Sequence, residues 1–187
     1  MAREVDVFNE ATFTEFYRQT SGALWSYLYR LTSDRNLADD IMQDSYVRMI
    51  NATPDGLTDR QLKSYLYQTG TRIFYDHLRA VKRSRRWFAD PENEAGHSED
   101  EITGPRMSNP TTSVNDDLQF ALSRAFRDLT VQERSLLWLA HVDRYTHDEI
   151  AVILGLGKGS VKVMLFRARK RMKKVLESMG IQSLGDI

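Results

Sequence analysis

The sequence predicts an all-α protein made of two small helical domains, and three observations lead to that prediction. Apolar residues recur three and four positions apart in seven segments, as in amphipathic helices, and no segment shows the alternation typical of a strand. A stretch rich in proline and acidic residues separates the first three helical patterns from the last four. The length of 187 residues suits one compact domain or two small ones.

The first three helices are predicted before this stretch. Ser33 or Asp34 can serve as the N-cap of the second helix, which is expected to end near Ile50. A turn-rich loop at residues 51–59 precedes a long third helix from about Arg60 to Arg86. The first helix is indicated by an apolar stripe that consists of Phe13, Phe16, Tyr17, Leu24, Tyr27, Leu28 and Leu31.

Four shorter helices are predicted after the stretch. Thr130 can cap the second of them, and Thr146 with Glu149 has the spacing of a capping box at the start of the third. That helix should stop at Gly155, and the last helix should run from about Lys158 to Met179. The first of the four is indicated by a stripe of Leu118, Leu122, Ala125, Phe126 and Leu129.

The domain boundaries follow from these patterns. We expect a first domain at residues 1–90, a flexible linker at 91–115, a second domain at 116–179 and a tail at 180–187. The linker is expected to be acidic, since residues 90–117 carry eight acidic side chains and a single basic one.

The distribution of charge indicates a polyanionic partner, although the formal net charge is zero. Residues 79–86 hold five basic side chains and no acidic one, and residues 157–174 hold eight and none. Each basic run ends a long helical pattern, so two basic surfaces are predicted, one in each domain.

Other features of the sequence exclude several classes of protein. The absence of cysteine rules out disulfides and thiolate metal sites. The chain starts without the apolar core of a signal peptide, and its longest uncharged stretch is 11 residues, so a cytoplasmic protein without membrane insertion is expected. Neither a metal, a cofactor nor an enzymatic activity is expected, because no nucleophile–base grouping is visible and metal-ligand spacing is missing among His77, His97, His141 and His147.

The segment THDEIAVILGLGKGSVKVMLFRARKRMKK is laid out as a helix, a glycine-containing turn and a second, basic helix. This is the arrangement of a helix-turn-helix, whose second helix enters the major groove of DNA. The inward face of the second helix is predicted to contain Val161, Leu165, Ala168, Met172, Val175 and Leu176. The opposite side and its flanks carry Lys162, Val163, Phe166, Arg167, Arg169, Lys170 and Lys174.

The same segment resembles region 4, the promoter −35-binding domain, of extracytoplasmic-function sigma factors. Upstream, NLADDIMQDSYVRMI and LKSYLYQTGTRIFYDHLR resemble the core-binding and −10-binding parts of region 2 in that family. The resemblance covers about residues 13–86 and 117–177, in the order found in the family. It implies an alternative sigma factor, whose partners are core RNA polymerase (the β′ coiled coil and the β flap), promoter DNA and an anti-sigma factor. It also suggests that the linker passes through the active-site and RNA-exit channels of the polymerase.

The resemblance assigns a role to an acidic face of the second helix. This face suits a basic protein surface, because charge complementarity sets orientation and association rate. Its residues match the motif with which the family binds the β′ coiled coil, and they are Asp40, Gln43, Asp44 and Val47. Ala38, Ile41, Met42 and Met49 are expected on the opposite face.

The third helix is expected to hold the non-template strand of the −10 element. Its buried side is predicted to contain Leu66, Tyr67, Gly70, Ile73, Phe74 and Val81. The residues predicted to contact −10 DNA are Gln68, Thr71, Arg72, Tyr75, Arg79 and Lys82, together with Asn51 in the loop where the family captures a flipped base. The family often has Ala-Arg-Asn where this chain has Gly70, Thr71 and Arg72, so the family's −10 readout does not transfer directly.

The −35 element is expected to contact His147, Lys158, Ser160, Lys162, Val163, Phe166, Arg167 and Lys170. The family often has Ser-Arg where this chain has Val163 and Met164, and we predict that Val163 contacts a thymine methyl group. Phe166 can contact either DNA or a protein, and the sequence does not separate the two. The alternative function is a stand-alone helix-turn-helix regulator, which would give no reason for the acidic face of the second helix.

Overall fold

The computed structural model describes residues 10–52, 56–88 and 122–181. The predicted linker at 91–115, Leu118 and the end of the tail at 182–187 lie outside the described residues. Helices and turns make up the described part, which contains no strand, so the predicted all-α class is confirmed. The chain divides into two compact units, here called unit 1 (Met1–Asn93) and unit 2 (Glu94–Ile187).

Unit 1 is a bundle of three helices: α1 (Glu10–Thr32), α2 (Arg35–Ala52) and α3 (Asp59–Phe88). Each of them packs against the other two. Their buried faces supply a core that includes Leu24, Tyr27, Leu28, Leu31, Ile41, Met49, Leu66, Tyr67 and Phe74. The predicted inward side of α3 is buried except at Ile73, which is half-buried, and Val81, which is exposed.

Asp34, one of the two residues predicted as the N-cap of α2, takes that position. Its Oδ1 accepts hydrogen bonds from the backbone N–H of Asn36 at 2.9 Å and of Leu37 at 3.2 Å. Ser33, directly before it, adopts a positive φ of 53° that turns the chain between α1 and α2. Thr32 completes the corner, since its hydroxyl oxygen accepts from the N–H of Asp34 at 3.1 Å.

Gly70 lets α3 lie close to both neighbouring helices. A Cβ atom at this position would be 3.1 Å from the Ser45 hydroxyl and 3.3 Å from a methyl group of Leu28. Both distances are tighter than ordinary van der Waals contact. The glycine therefore reflects the close packing of α1, α2 and α3, where the resembling family often has alanine.

The described part of unit 2, residues 122–181, contains four helices: α4 (residues 122–127), α5 (Val131–His141), α6 (His147–Leu154) and α7 (Ser160–Ser178). The last three pack against one another. The core includes Ala125, Leu129, Leu136, Leu139, Ile150, Ile153, Val161, Leu165, Ala168 and Leu176. Met172 and Val175, predicted on the same inward face of α7, are half-buried.

Both predicted N-caps in unit 2 are confirmed, and both form complete capping boxes. The Thr130 hydroxyl oxygen accepts a hydrogen bond from the backbone N–H of Glu133, and the Glu133 carboxylate accepts one from the Thr130 N–H at 2.9 Å. Thr146 and Glu149 make the same reciprocal pair at the start of α6. The helix α6 then ends at Gly155, whose left-handed conformation, with φ 66°, is the one that glycine adopts without strain.

Candidate nucleic-acid and protein interfaces

The acidic face of α2 is exposed along its whole length. Asp40, Gln43, Asp44 and Val47 all lie on the surface, and Ala38, Ile41 and Met49 are buried on the opposite side, as predicted. Met42 is half-buried rather than fully inward. Among the residues that the structure describes, neither Asp40 nor Asp44 has an ion-pair partner, so both carboxylates face solvent as free charges.

A neighbouring carboxylate, that of Asp39, has a structural role instead. Its Oδ1 accepts a hydrogen bond of 2.6 Å from the indole N–H of Trp25, which ties α2 to α1. The Arg35 guanidinium lies over the same indole ring at 5.9 Å from its centroid. These contacts fix the rotation of α2 about its own axis. Asp40 and Asp44 are then directed away from the core of unit 1, into solvent.

The acidic face of α2 also has an apolar end that the sequence analysis did not identify. Val47 is 53% exposed and Ile50 is 39% exposed. Ile50 follows Val47 by three positions, so helical spacing alone could have placed it on the same side. Two carboxylates followed by two aliphatic side chains form a surface suited to a protein with both basic and apolar groups.

The outer face of α3 presents the predicted basic residues. Arg72, Arg79 and Lys82 are exposed, whereas Gln68 and Tyr75 are half-buried. Asn51, at the end of α2, is exposed, and residues 53–55 of the following loop lie outside the described part of the chain.

Thr71 does not belong to this face, and its predicted outward position is wrong. It is only 2% exposed. Its hydroxyl donates to the backbone carbonyl of Tyr67 at 2.7 Å, so its oxygen accepts from the Tyr27 hydroxyl, 2.9 Å away. Because α1 and α2 both pack against α3, the buried arc of α3 is wider than one apolar stripe and includes this threonine.

Asp76 lies in the middle of the basic face of α3. Its carboxylate accepts a short hydrogen bond from the Arg79 guanidinium. This bond lowers the pKa of Asp76 below its usual value, and the positive charges of Arg79, Arg48 and Arg72 lower it further. Arg48, on α2, thus adds a cation beside the face, and the sequence analysis had not connected it with α3.

The helix α7 projects its predicted recognition residues from unit 2. Lys162, Val163, Phe166, Arg167 and Lys170 are all exposed, with Val163 49% and Phe166 68% accessible. Lys158 and Ser160 are exposed at the preceding turn and at the first position of α7, and His147 is exposed at the start of α6. No side chain caps the start of α7, because its N-cap residue is Gly159. The Ser160 N–H donates to the Gly157 carbonyl at 2.9 Å, and the N–H groups that follow it in the first turn have no side-chain cap.

Unit 2 also contains an apolar groove of about 600 Å³ between α4, α5 and α7. Its walls include Leu122, Phe126, Leu137 and Leu176, and Arg169 and Lys173 line it as well. The Arg169 Nε–H donates to His141 Nε2 at 3.2 Å across the groove. Burial, and then the charge of Arg169, lower the pKa of His141, which keeps the imidazole neutral and able to accept that bond.

Phe166 lies where the groove and the exposed face of α7 meet, since it lines the groove and is also largely exposed. Phe166 is therefore accessible both to DNA on the exposed face of α7 and to a protein in the groove, the two partners that the sequence left open. The groove itself could not be predicted from sequence, because its walls come from helices that are distant along the chain.

No group of three or more histidine, aspartate or glutamate side chains in the described residues could hold a metal ion. No helix within the same residues is long and apolar enough to cross a membrane.

Comparison with known proteins gives a consistent result across both units. The family model of Sigma-70 region 2 matches residues 16–84, and that of Sigma-70 region 4 matches residues 119–172. The ECF RNA polymerase sigma factor SigL of Mycobacterium tuberculosis is 26% identical over 178 residues, covering 91% of this chain and 92% of that protein. The RNA polymerase sigma-E factor of Streptomyces avermitilis is 28% identical over 176 residues, covering 91% and 88%.

A solved structure has the same fold. It is the sigma factor RpoE of Bartonella quintana in complex with the anti-sigma factor NepR, and its TM-score to this chain is 0.64. The match covers 88% of this chain and 96% of that one at 20% sequence identity.

Proposed function

This chain belongs to the sigma-70 family of RNA polymerase sigma factors, and we propose that it acts in the cytoplasm as an alternative sigma factor of the extracytoplasmic-function group. In that role it binds core RNA polymerase and directs it to promoters that carry its −35 and −10 elements. The observation that carries the proposal is the pairing of a region 2 unit with a region 4 unit in one chain. The protein contributes binding energy and positioning, and the polymerase performs the chemistry.

Unit 1 is proposed to hold the polymerase through the acidic face of α2. Asp40 and Asp44 are free carboxylates, and Val47 and Ile50 extend the face with exposed apolar area. The β′ coiled coil is the proposed partner for Asp40, Gln43, Asp44 and Val47. A charged rim of this kind sets orientation, and the adjoining aliphatic side chains supply burial.

The basic face of α3 is proposed to bind the non-template strand of the −10 element. Arg72, Arg79 and Lys82 can pair with phosphates, and the half-buried Tyr75 offers a ring on which a base can stack. Gln68 and Asn51 complete the proposed surface. Thr71 is buried and is not part of it.

The exposed face of α7 is proposed to bind duplex DNA at the −35 element. Lys162, Arg167 and Lys170 supply the charge for base edges and phosphates, and Val163 and Phe166 supply apolar contacts. Lys158 and Ser160, at the turn before α7 and its first position, and His147, at the start of α6, are proposed to lie against the DNA backbone.

The groove of unit 2 is proposed as the contact for the β flap of the polymerase. Its apolar walls and basic edge suit an amphipathic helix that carries acidic side chains. An anti-sigma factor is proposed as a further partner. This is supported by the fold that the chain shares with RpoE, which was solved in complex with an anti-sigma factor.

The experiment combines the purified chain with bacterial core polymerase and fragmented genomic DNA of its host, and maps the 5′ ends of the transcripts. Transcripts that start downstream of two shared sequence elements are expected. They should be lost when Asp40 and Asp44 are both changed to lysine. They should persist in the matched control Glu15→Lys, since Glu15 is an exposed carboxylate on α1 of the same unit and its ion pair with Arg18 is on the surface.

A folded chain that neither binds core polymerase nor yields new starts would overturn the proposal. Tight, specific binding of the same chain to duplex DNA without polymerase would then favour the stand-alone regulator.

A further inference from the structure

The exposed face of α7 offers a restricted set of base-reading groups. From Gly155 to Leu176 the chain contains no Asp, Glu, Asn or Gln. In the major groove, Asn and Gln recognise adenine, Asp and Glu accept from cytosine, Arg and Lys donate to guanine, and apolar side chains contact the thymine methyl group. Apart from the hydroxyl of Ser160, the side chains of this segment therefore lack the acceptors that read the amino groups of adenine and cytosine. They offer donors for base acceptors, of which guanine presents two, and apolar groups for thymine methyl contacts.

Val163 is the apolar side chain best placed for such a contact. It lies in the first two turns of α7, the part of a recognition helix that comes closest to base edges. It is 49% exposed, and it does not line the groove of unit 2. A protein in the groove would therefore not cover it, in contrast to Phe166.

The surroundings of Val163 leave its methyl groups open to DNA. Side chains on a helix lean toward its N-terminus, so Val163 covers the turn that contains Gly159 and Ser160. At Gly159 a Cβ atom would have nothing within 4 Å, so the surface at the start of α7 is open. A β-branched side chain in a helix also has one strongly preferred rotamer, so little conformational entropy is lost on contact.

We infer that Val163 reads the C5 methyl group of one thymine in the −35 element, and that it does so where the family often has a polar serine. The inference rests on the proposed function, because it requires that α7 bind the −35 element. Two donors for guanine or phosphate lie around this contact. Arg167 is one turn further along the same face, and Lys162 directly precedes Val163.

The test removes the methyl group from the DNA and the contact from the protein independently. Each thymine of the −35 element, on either strand, is replaced in turn by deoxyuridine, which lacks only that methyl group. Transcription by core polymerase with the full-length chain is then compared for the wild type and Val163→Ser. The matched control is Val152→Ser, since Val152 lies on α6 and is exposed to a similar extent, 56%.

For the wild type and for Val152→Ser, one deoxyuridine position is expected to lower promoter use about fourfold, the effect of withdrawing one buried methyl group worth about 0.8 kcal/mol. For Val163→Ser the same replacement should have no effect. Val163→Thr, which keeps one methyl group at the same position, should retain part of the discrimination.

Two outcomes overturn the inference while leaving the proposed function intact. In one, transcription starts normally but no deoxyuridine position lowers promoter use in the wild type. In the other, deoxyuridine lowers promoter use as much for Val163→Ser as for the wild type, which would show that another side chain contacts the methyl group. Failure of the proposed function is distinct from both, because no promoter-specific transcript would then form with any DNA.

Discussion

Replacing Thr71 with valine removes one hydroxyl group from the core of unit 1 and leaves the shape of the side chain almost unchanged. The Thr71 oxygen accepts from the Tyr27 hydroxyl at 2.9 Å, and these residues are 2% and 0% exposed. A buried donor that loses its acceptor typically costs about 1–2 kcal/mol. With a denaturant dependence of about 1–1.5 kcal/mol per molar urea for a domain of this size, the urea midpoint of unit 1 should fall by about 1 M.

Thr69→Val is the matched control for this prediction. Thr69 lies two positions earlier in α3 and is half-buried, and its hydroxyl donates to the Tyr65 carbonyl of its own helix at 2.9 Å. It makes no cross-helix bond that corresponds to that of Thr71, so its replacement should cost only a few tenths of a kcal/mol. Unfolding of unit 1 can be followed by hydrogen exchange of its helices during a urea titration.

The same variants decide whether Thr71 acts in the core or on DNA. Below the unfolding range, Thr71→Val should direct transcription from a mapped promoter as well as Thr69→Val does. The reasoning is refuted if Thr71→Val has the urea midpoint of the control and yet loses promoter opening, because Thr71 would then act at the −10 strand.

Three further predictions concern single side chains. Asp76→Asn removes a negative charge beside Arg79 and should raise the affinity for a single-stranded oligonucleotide about threefold at low salt, as expected when one like charge about 7 Å from a phosphate is removed in water. Fluorescence anisotropy should show this gain shrinking as salt is added, and a gain that does not depend on salt would contradict it. Thr146→Ala removes the N-cap of α6 and should cost about 1 kcal/mol, or about 4–8 °C in the melting temperature of unit 2, whereas Thr146→Ser should cost little. An alanine variant as stable as the serine variant would show that the capping box is not stabilising. The folded state lowers the pKa of His141, so unit 2 should lose stability as the pH falls from about 6.5, where the unfolded chain takes up the proton first. Thermal unfolding between pH 5 and 8 should show a weaker pH dependence of stability for His141→Gln than for the wild type, and an identical dependence would mean that protonation of His141 does not contribute to it.

Helix ends and the recognition helix could be predicted from the sequence because they depend on local chemistry. The capping boxes at Thr130 and Thr146 require only a hydroxyl and a glutamate three residues later. The stop at Gly155 requires only a residue that tolerates a positive φ. The exposed positions of α7 follow from one helical period, because α7 packs through a single face.

Predictions for α3 were less accurate, because its environment is not set by one apolar stripe. Thr71 was placed outside, yet it is buried because α1 and α2 together cover a wide arc of α3. Val81 was placed inside, yet it is exposed on the last part of a 30-residue helix. Apolar periodicity indicates which face is preferred, but the extent of burial depends on where the neighbouring helices begin and end.

The position of Phe166 has a thermodynamic consequence for unit 2. One side chain borders both the groove and the DNA-facing side of α7, so a ligand on either surface changes the surroundings of the same aromatic ring. Two ligands that share a group in this way are linked. If a helix bound in the groove raises or lowers the affinity of α7 for DNA by some factor, DNA must change the affinity of the groove for that helix by the same factor. A promoter sequence can thereby influence how firmly the groove of unit 2 holds a protein partner that never touches the bases.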